Sequence, residues 1–144
     1  MLKLLKIFIL VLLLTGCEAQ FSMATKDIKV KDTVIKIEIA ETTAEQVKGL
    51  AGRAEICETC GMLFEYSDYQ IRNFWMKGMQ FPLDVIWILN DEIVGIEKNV
   101  QILDSAGVIS RIKSPRVVNR VLEAPAGLAD QYGLEAGDKI EGLD

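Results

Sequence analysis

The sequence predicts a mainly β fold, a β sandwich or partly closed barrel with two short helices. Three observations predict it. Apolar and polar residues alternate with a period of two over several short stretches. Turn signals such as Lys31-Asp32 and Asn90-Asp91 separate those stretches. Only two segments carry helical spacing or helix-opening signals, and no regular βαβ alternation accompanies them.

The elements follow in chain order. In "TVIKIEIAET", Val34, Ile35, Ile37 and Ile39 flank Lys36 and Glu38, the pattern of a half-buried strand, with Lys31-Asp32 turning into it. In "TTAEQVKGLAGRA", Thr42 precedes Glu45 by three residues, a capping-box spacing. Ala44, Val47, Leu50 and Ala51 then recur as on one helix face, and Gly52 is the expected stop. Strands are expected at Met62–Tyr66, Arg72–Lys77, Leu83–Leu89 and Glu92–Lys98, with Asn90-Asp91 as a hairpin turn. Weaker strands follow near Val108–Lys113 and Val117–Glu123. Pro125 is expected to open a second helix over "AGLADQYG", ending at Gly133, before a turn and a last strand.

The chain begins with Lys3 and Lys6, continues through "IFILVLLL" and reaches "LTGC" at Leu14–Cys17. A basic start, a short apolar run and small residues before a cut site make a secretory signal, and the run is too short to span a bilayer. The junction resembles a bacterial lipobox, which implies acylation of Cys17. The expected organisation is a lipoprotein signal over residues 1–16, a lipidated cysteine and tether over 17–27, and one globular domain over 28–144. The protein is then exported and membrane-anchored, on the outer face of the cytoplasmic membrane or the periplasmic side. Losing Lys3 and Lys6 with the leader leaves 14 basic against 21 acidic residues. So acidic a chain is poorly suited to nucleic acid or anionic lipid, and attachment rests on the acyl chains. It contains no His, the commonest metal ligand and general base.

Charges that break the apolar rhythm mark candidate site residues. In "FPLDVIWIL" both strand faces are apolar, so Asp84, which shares a face with Ile86 and Ile88, is buried or lines a cavity. Glu123 lies among Val117, Asn119 and Val121 just before the second helix, and Arg53 at the end of the first. Arg binds carboxylates through two parallel hydrogen bonds, so Arg53 is expected to pair with Asp84 or Glu123. The simpler alternative is a network that only fixes strand register. Trp75 shares a face with Asn73 and Lys77 while Phe74 and Met76 face the other way. An aromatic beside a polar row suits a sugar or peptide site, although Trp and Met in strands are more often core. Arg111, Lys113, Arg116 and Arg120 read as a solvated strand face.

Cys57-Glu58-Thr59-Cys60 suggests redox chemistry, half a metal site or a clasp. The pair follows a helix and precedes a strand, outside the βαβ setting of a thioredoxin-type motif. Zinc usually takes four ligands. In an oxidising compartment a Cys57–Cys60 disulfide is the simplest state, and neither metal nor cofactor is expected.

The motifs "GLAGR", "GMLFEY", "FWMK", "PLDVIWI", "VLEAPAG" and "GLEAGD" together resemble the domain of unknown function 192 family, over roughly Ile35 to Gly142. The resemblance implies a β sandwich or partly closed barrel with short helices and names no reaction. It carries over Arg53, Gly61-Met62-Leu63-Phe64, Trp75-Met76, Leu83-Asp84, Glu123 and Gly137-Asp138. "WMKGM" stands where members often have Asn-Thr after the Lys, and Cys57/Cys60 lie in the family's variable stretch.

The expected function is a lipid-anchored binding or accessory module for a small ligand or an envelope protein. Its binding candidates are Arg53, Trp75, Lys77, Asp84 and Glu123. Two enzyme readings stand beside it: a hydrolase using Asp84 and Glu123 as acid and base, and thiol redox at Cys57/Cys60.

Overall fold

The computed structural model describes residues 23–144. The expected leader and Cys17 lie outside them, as does most of the expected tether. Strands β1 (Thr25–Val30) and β2 (Thr33–Ala40) form a hairpin whose tight turn puts Lys31 at φ +53°. A short helix α1 (Thr43–Lys48) leads to β3 (Cys60–Gln70), which pairs parallel to β2. Then come β4 (Asn73–Trp75), β5 (Leu83–Leu89), β6 (Glu92–Val100), β7 (Arg111–Lys113) and β8 (Val118–Pro125). Helix α2 (Leu128–Gln131) and β9 (Ile140–Glu141) close the domain.

Seven strands form one curled sheet, ordered β6-β5-β8-β3-β2-β1-β9, and β4 and β7 pair as a separate ribbon. The fold is mainly β as expected, and of the two expected forms, sandwich or partly closed barrel, the curled sheet is a half-barrel. Among the described residues only the β2–β3 contact is parallel; the other pairings are antiparallel. Period-two alternation sends residues of each strand to two apolar layers. Ile35, Ile37, Leu63, Ile86, Ile88 and Leu122 pack on one face, under α2 and the C-terminal turn. Met62, Phe64, Val85, Trp87, Val118 and Val121 pack on the other, under the α1 turn and the β4–β7 ribbon.

Several boundaries differ from expectation for identifiable reasons. Strand β1 begins at Thr25, inside the stretch read as tether, because backbone pairing with β2, from Thr25 opposite Glu38 onward, extends it beyond its buried residues Ile28 and Val30. Helix α1 has its capping box, with the Glu45 amide donating to Thr42 Oγ1 at 3.2 Å and the Thr42 amide donating to Glu45 Oε2 at 2.9 Å. It stops at Gly49 rather than Gly52, because Gly49 takes φ +50° and leaves the helical path. Pro125 ends β8 as the register partner of Leu83 instead of opening α2, which starts only after Gly127.

Candidate functional site

The register of three central strands decides where the candidate carboxylates sit. Val85 of β5 and Met62 of β3 both stand opposite Glu123 of β8. Asp84, one residue earlier, stands opposite Ala124. Adjacent residues of a strand face opposite ways, so Asp84 and Glu123 lie on opposite faces of the sheet.

Asp84 is fully buried and fully engaged. Its Oδ1 accepts the Asn99 amide at 2.8 Å, where Asn99 turns with φ +50°. Its Oδ2 accepts the Gly127 and Ala129 amides at 3.1 and 2.8 Å. Helix α2 has no side-chain cap of its own, so Asp84 caps it from the neighbouring strand. Its oxygens face backbone amides, a positioning role in the fold.

Glu123 is in the opposite condition. It is 6 % exposed, and its Oε2 has no hydrogen-bond partner among the described residues. Burial pushes its carboxyl pKa up to about 8, against a smaller downward pull from the Leu50 backbone. The group is then mostly protonated at neutral pH and can both donate and accept a hydrogen bond. It forms part of the wall of a cavity of about 110 Å³ between the α1 turn and the ribbon. Phe64, Tyr66, Phe74 and Trp75 supply aromatic wall, while Gln46, Asn73 and Lys77 supply polar groups. Burial likewise pushes the Tyr66 hydroxyl up to about 12, against the lowering effect of the Arg72 guanidinium 3.7 Å from its ring centre.

Gly49 keeps this space open. A Cβ there would sit 3.3 Å from Phe64 Cζ and 3.5 Å from Glu123 Oε2. The ribbon is fixed from beneath: Phe74 meets Phe64 and Trp87 edge-on, at ring-centre distances of 5.0 and 5.7 Å. Trp75 points outward, 46 % exposed, with Lys77 Nζ and Arg111 Cζ 5.2 and 5.8 Å from its ring centre. This corrects the expectation that Trp75 is core; of its neighbours, Met76 is the buried one.

Three of the five binding candidates, Trp75, Lys77 and Glu123, therefore line one cavity. Arg53 pairs with neither Asp84 nor Glu123. Its two terminal nitrogens donate to the two carboxylate oxygens of Glu38 at 2.7 and 2.6 Å, and it borders a separate groove with Met23, Thr42 and Lys48. The early stop of α1 and the parallel β2–β3 pairing bring Arg53 to β2 instead. An Asp84–Glu123 acid–base pair is likewise not formed, because a sheet stands between them. Cys57 and Cys60 are joined, sulfur to sulfur at 2.03 Å, in the turn that enters β3. Of the solvated basic row, Arg120 instead pairs with Glu65 at 2.7 Å across β3 and β8.

Sequence reasoning placed Asn73 in the polar row beside Trp75 and Lys77, but missed Phe64, Tyr66, Phe74 and Gln46 as cavity residues. The signal was present for two of them: Phe64 and Tyr66 share the face of Met62, which the β3–β8 register turns toward Glu123's side. Phe74 and Gln46 arrive from elements whose docking no local pattern specifies.

The model of the DUF192 family, described as "Uncharacterized ACR", matches residues 24–142. A crystal structure from Sinorhizobium meliloti 1021, described as "a putative transcription regulator", is similar with a TM-score of 0.77 and 27 % identity, over 84 % of this chain and 95 % of that one. A protein of unknown function from Novosphingobium aromaticivorans DSM 12444 is similar with a TM-score of 0.76 and 29 % identity, over 86 % and 89 % of the two chains. No curated protein matches.

Proposed function

This chain belongs to the domain of unknown function 192 family, which is described without an activity, and from the geometry of its cavity we propose that it is a small-ligand-binding module of the cell envelope. One observation carries the reading. A buried carboxyl group, Glu123, has an oxygen with no partner among the described residues and borders a cavity with aromatic walls. Leaving a polar atom buried and unpaired costs about 1–3 kcal/mol, and such an atom calls for an explanation. A ligand group that completes its hydrogen bonding supplies one.

The chemistry narrows the ligand. A neutral carboxyl both donates and accepts, so it matches a hydroxyl or an amide. At about 110 Å³ the cavity is small, so it takes one end of a ligand and leaves the rest at the Trp75 rim. The aromatic rings suit a sugar face or an amide plane. An acid–base hydrolase lacks a second free carboxylate beside Glu123 among the described residues: Asp84 holds α2 on the other face, and Glu38, on the face of Glu123, is tied to Arg53 through two hydrogen bonds.

Export and anchoring complete the proposal. They are supported by the basic start, the apolar run and "LTGC" ending at Cys17. Metabolic labelling with a fatty acid tests them: we expect label in the wild-type chain and none after Cys17→Ser. Ligand binding is tested by a thermal-shift screen of sugars, amides and short peptides. We expect Glu123→Leu to melt at the same or a higher temperature without ligand, and to lose every ligand-induced shift. A screen without hits, or hits equally strong in Glu123→Leu, would sink the binding-site assignment.

A further inference from the structure

The exposed apolar residues are not spread evenly. Among the described residues nine large hydrophobic side chains are exposed, and six of them fall on or beside the β4–β7 ribbon. These are Ile71, Trp75, Leu103, Val108, Ile109 and Val117. Hydrogen bonds join the segments into one surface. Trp75 stands opposite Arg111 and Asn73 opposite Lys113 across the ribbon. Leu103 bridges to Ile109, and the Met76 amide donates to the Ser110 carbonyl at 3.0 Å.

Charge is concentrated on the same surface. Residues 71–79 and 101–117 hold five basic side chains and one acidic one, in a chain whose net charge is −5. Arg72 is spoken for by Asp68. Lys77, Arg111, Lys113 and Arg116 make no ion pair among the described residues. The overall acidity thus hides a local cationic face with a tryptophan at its centre.

We propose that the outer face of the β4–β7 ribbon docks on an anionic bilayer surface, with Trp75 seated at the headgroup level between Lys77 and Arg111. Three arguments select a membrane. Trp is favoured at membrane–water interfaces because its ring is apolar and its N–H polar. Unpaired Lys and Arg beside it are drawn to anionic headgroups, each by about 1 kcal/mol. The chain also enters the domain on this side: Met23 packs against the same apolar layer that the ribbon covers. Cys17 is six residues before Met23, a reach of at most about 20 Å for an extended chain. The third argument rests on the envelope reading above. Docking would place the Glu123 cavity, which shares Asn73, Phe74 and Trp75 with the ribbon, beside the lipid surface.

The two tryptophans make the test direct. Trp87 is fully buried, so lipid-borne quenchers in contact with the protein reach Trp75 alone. The full chain is mixed with vesicles of brominated phosphatidylcholine, with or without phosphatidylglycerol, and its fluorescence is followed. We expect quenching and a blue shift with the anionic vesicles, weakened by salt. Replacing Arg111 and Lys113 by Gln should lower the partition roughly five-fold per residue. Trp75→Phe should remove the quenching while the melting temperature stays near wild type. Unquenched Trp75 on anionic vesicles overturns the proposal, as does equal quenching on neutral ones. Retention on an acidic polysaccharide without quenching would assign the face to a polymer instead, and overturn it too. Failure of the anchor reads out separately, as loss of fatty-acid label, and leaves the quenching assay interpretable.

Discussion

Asp84 and Glu123 stand on opposite faces of one sheet, because the register partner of Glu123 is Val85. The two buried carboxyl groups of β5 and β8 therefore divide their roles. Asp84 is satisfied by three backbone amides, from Asn99, Gly127 and Ala129, while Glu123 Oε2, beside a cavity, has no partner among the described residues. The first carboxylate organises the fold, and the second is available to something else.

Removing Asp84 should damage the fold and spare the site. Asp84→Ala orphans three amides that face a buried position, and each orphan costs about 1–3 kcal/mol. Relaxation and entering water recover part of this, so we expect a loss on the order of 3–5 kcal/mol in urea unfolding. Asp84→Asn keeps one acceptor and should lose less. Any ligand shift that depends on Glu123 should survive in Asp84→Asn below its melting temperature. A near-neutral Asp84→Ala would show that α2 and the Asn99 turn hold without their cap.

Glu123 gives stability a pH dependence of unusual sign. Its folded pKa is raised from 4.5 to about 8, so between those values the folded state binds more protons than the unfolded chain. Stability then falls as pH rises through that window. The contribution is fully present below pH 4.5 and lost above about 8. The shift corresponds to a loss on the order of 5 kcal/mol at most, and to less where water enters or the site relaxes. Glu123→Gln should flatten the decline. Urea melts at a series of pH values check this, and a wild-type profile identical to that of Glu123→Gln would place the carboxyl in contact with solvent.

Much of the fold could be read from local pattern, because both faces of the sheet are written as period-two alternation. Strand β5 falls on its expected bounds, and the Thr42–Glu45 capping box forms as spaced. The site was less legible for a physical reason. Strand register sets which face of one strand meets which face of the next, and it is fixed by non-local pairing. Alternation alone put Asp84 and Glu123 each on an apolar strand face, and could not show that the faces were different. Arg53 failed similarly: its partner, Glu38, belongs to β2, and the parallel β2–β3 contact that brings them together leaves no local trace.

Gly49 should be the most sensitive position bordering the cavity. Its φ of +50° is unfavourable for a residue with a side chain, and an added Cβ would press on Phe64 and approach Glu123 Oε2. We expect Gly49→Ala to cost roughly 1–2 kcal/mol, mostly from the backbone. It should also abolish ligand binding in the folded protein, because the methyl group takes up part of the cavity. Gly52→Ala is the control: its φ is +81°, but a Cβ there meets nothing within 4 Å. It should lose similar stability and keep binding.

The Arg53–Glu38 pair should matter little despite its two short hydrogen bonds. The side chains are 32 % and 33 % exposed, so water screens much of the attraction. Arg53 holds the Glu38 carboxyl below its usual range, with a smaller opposing effect of burial. Its contribution is present above the unfolded carboxyl pKa and is lost as pH falls through the lowered one. We expect Arg53→Ala to cost about 1 kcal/mol or less at neutral pH, and nothing at a pH that protonates Glu38. A ligand shift lost in Arg53→Ala would move the binding site to the groove beside Met23.

The Cys57–Cys60 bridge closes a loop so short that the unfolded chain loses little freedom to it, about 2 kcal/mol on the chain-entropy account. Its effect is local. Cys60 begins β3, and Gly61 beside it approaches β8 so closely that a Cβ would stand 2.8 Å from the Glu123 carbonyl oxygen. The bridge thus steadies the strand end next to Glu123 without touching the cavity, whose lining includes neither cysteine. Cys57→Ser should lower the melting temperature by several degrees in a domain of this size and leave the ligand shift in place. If a folded Cys57→Ser variant lost its activity outright, the cysteines would have to act in the chemistry, and the clasp assignment would fail.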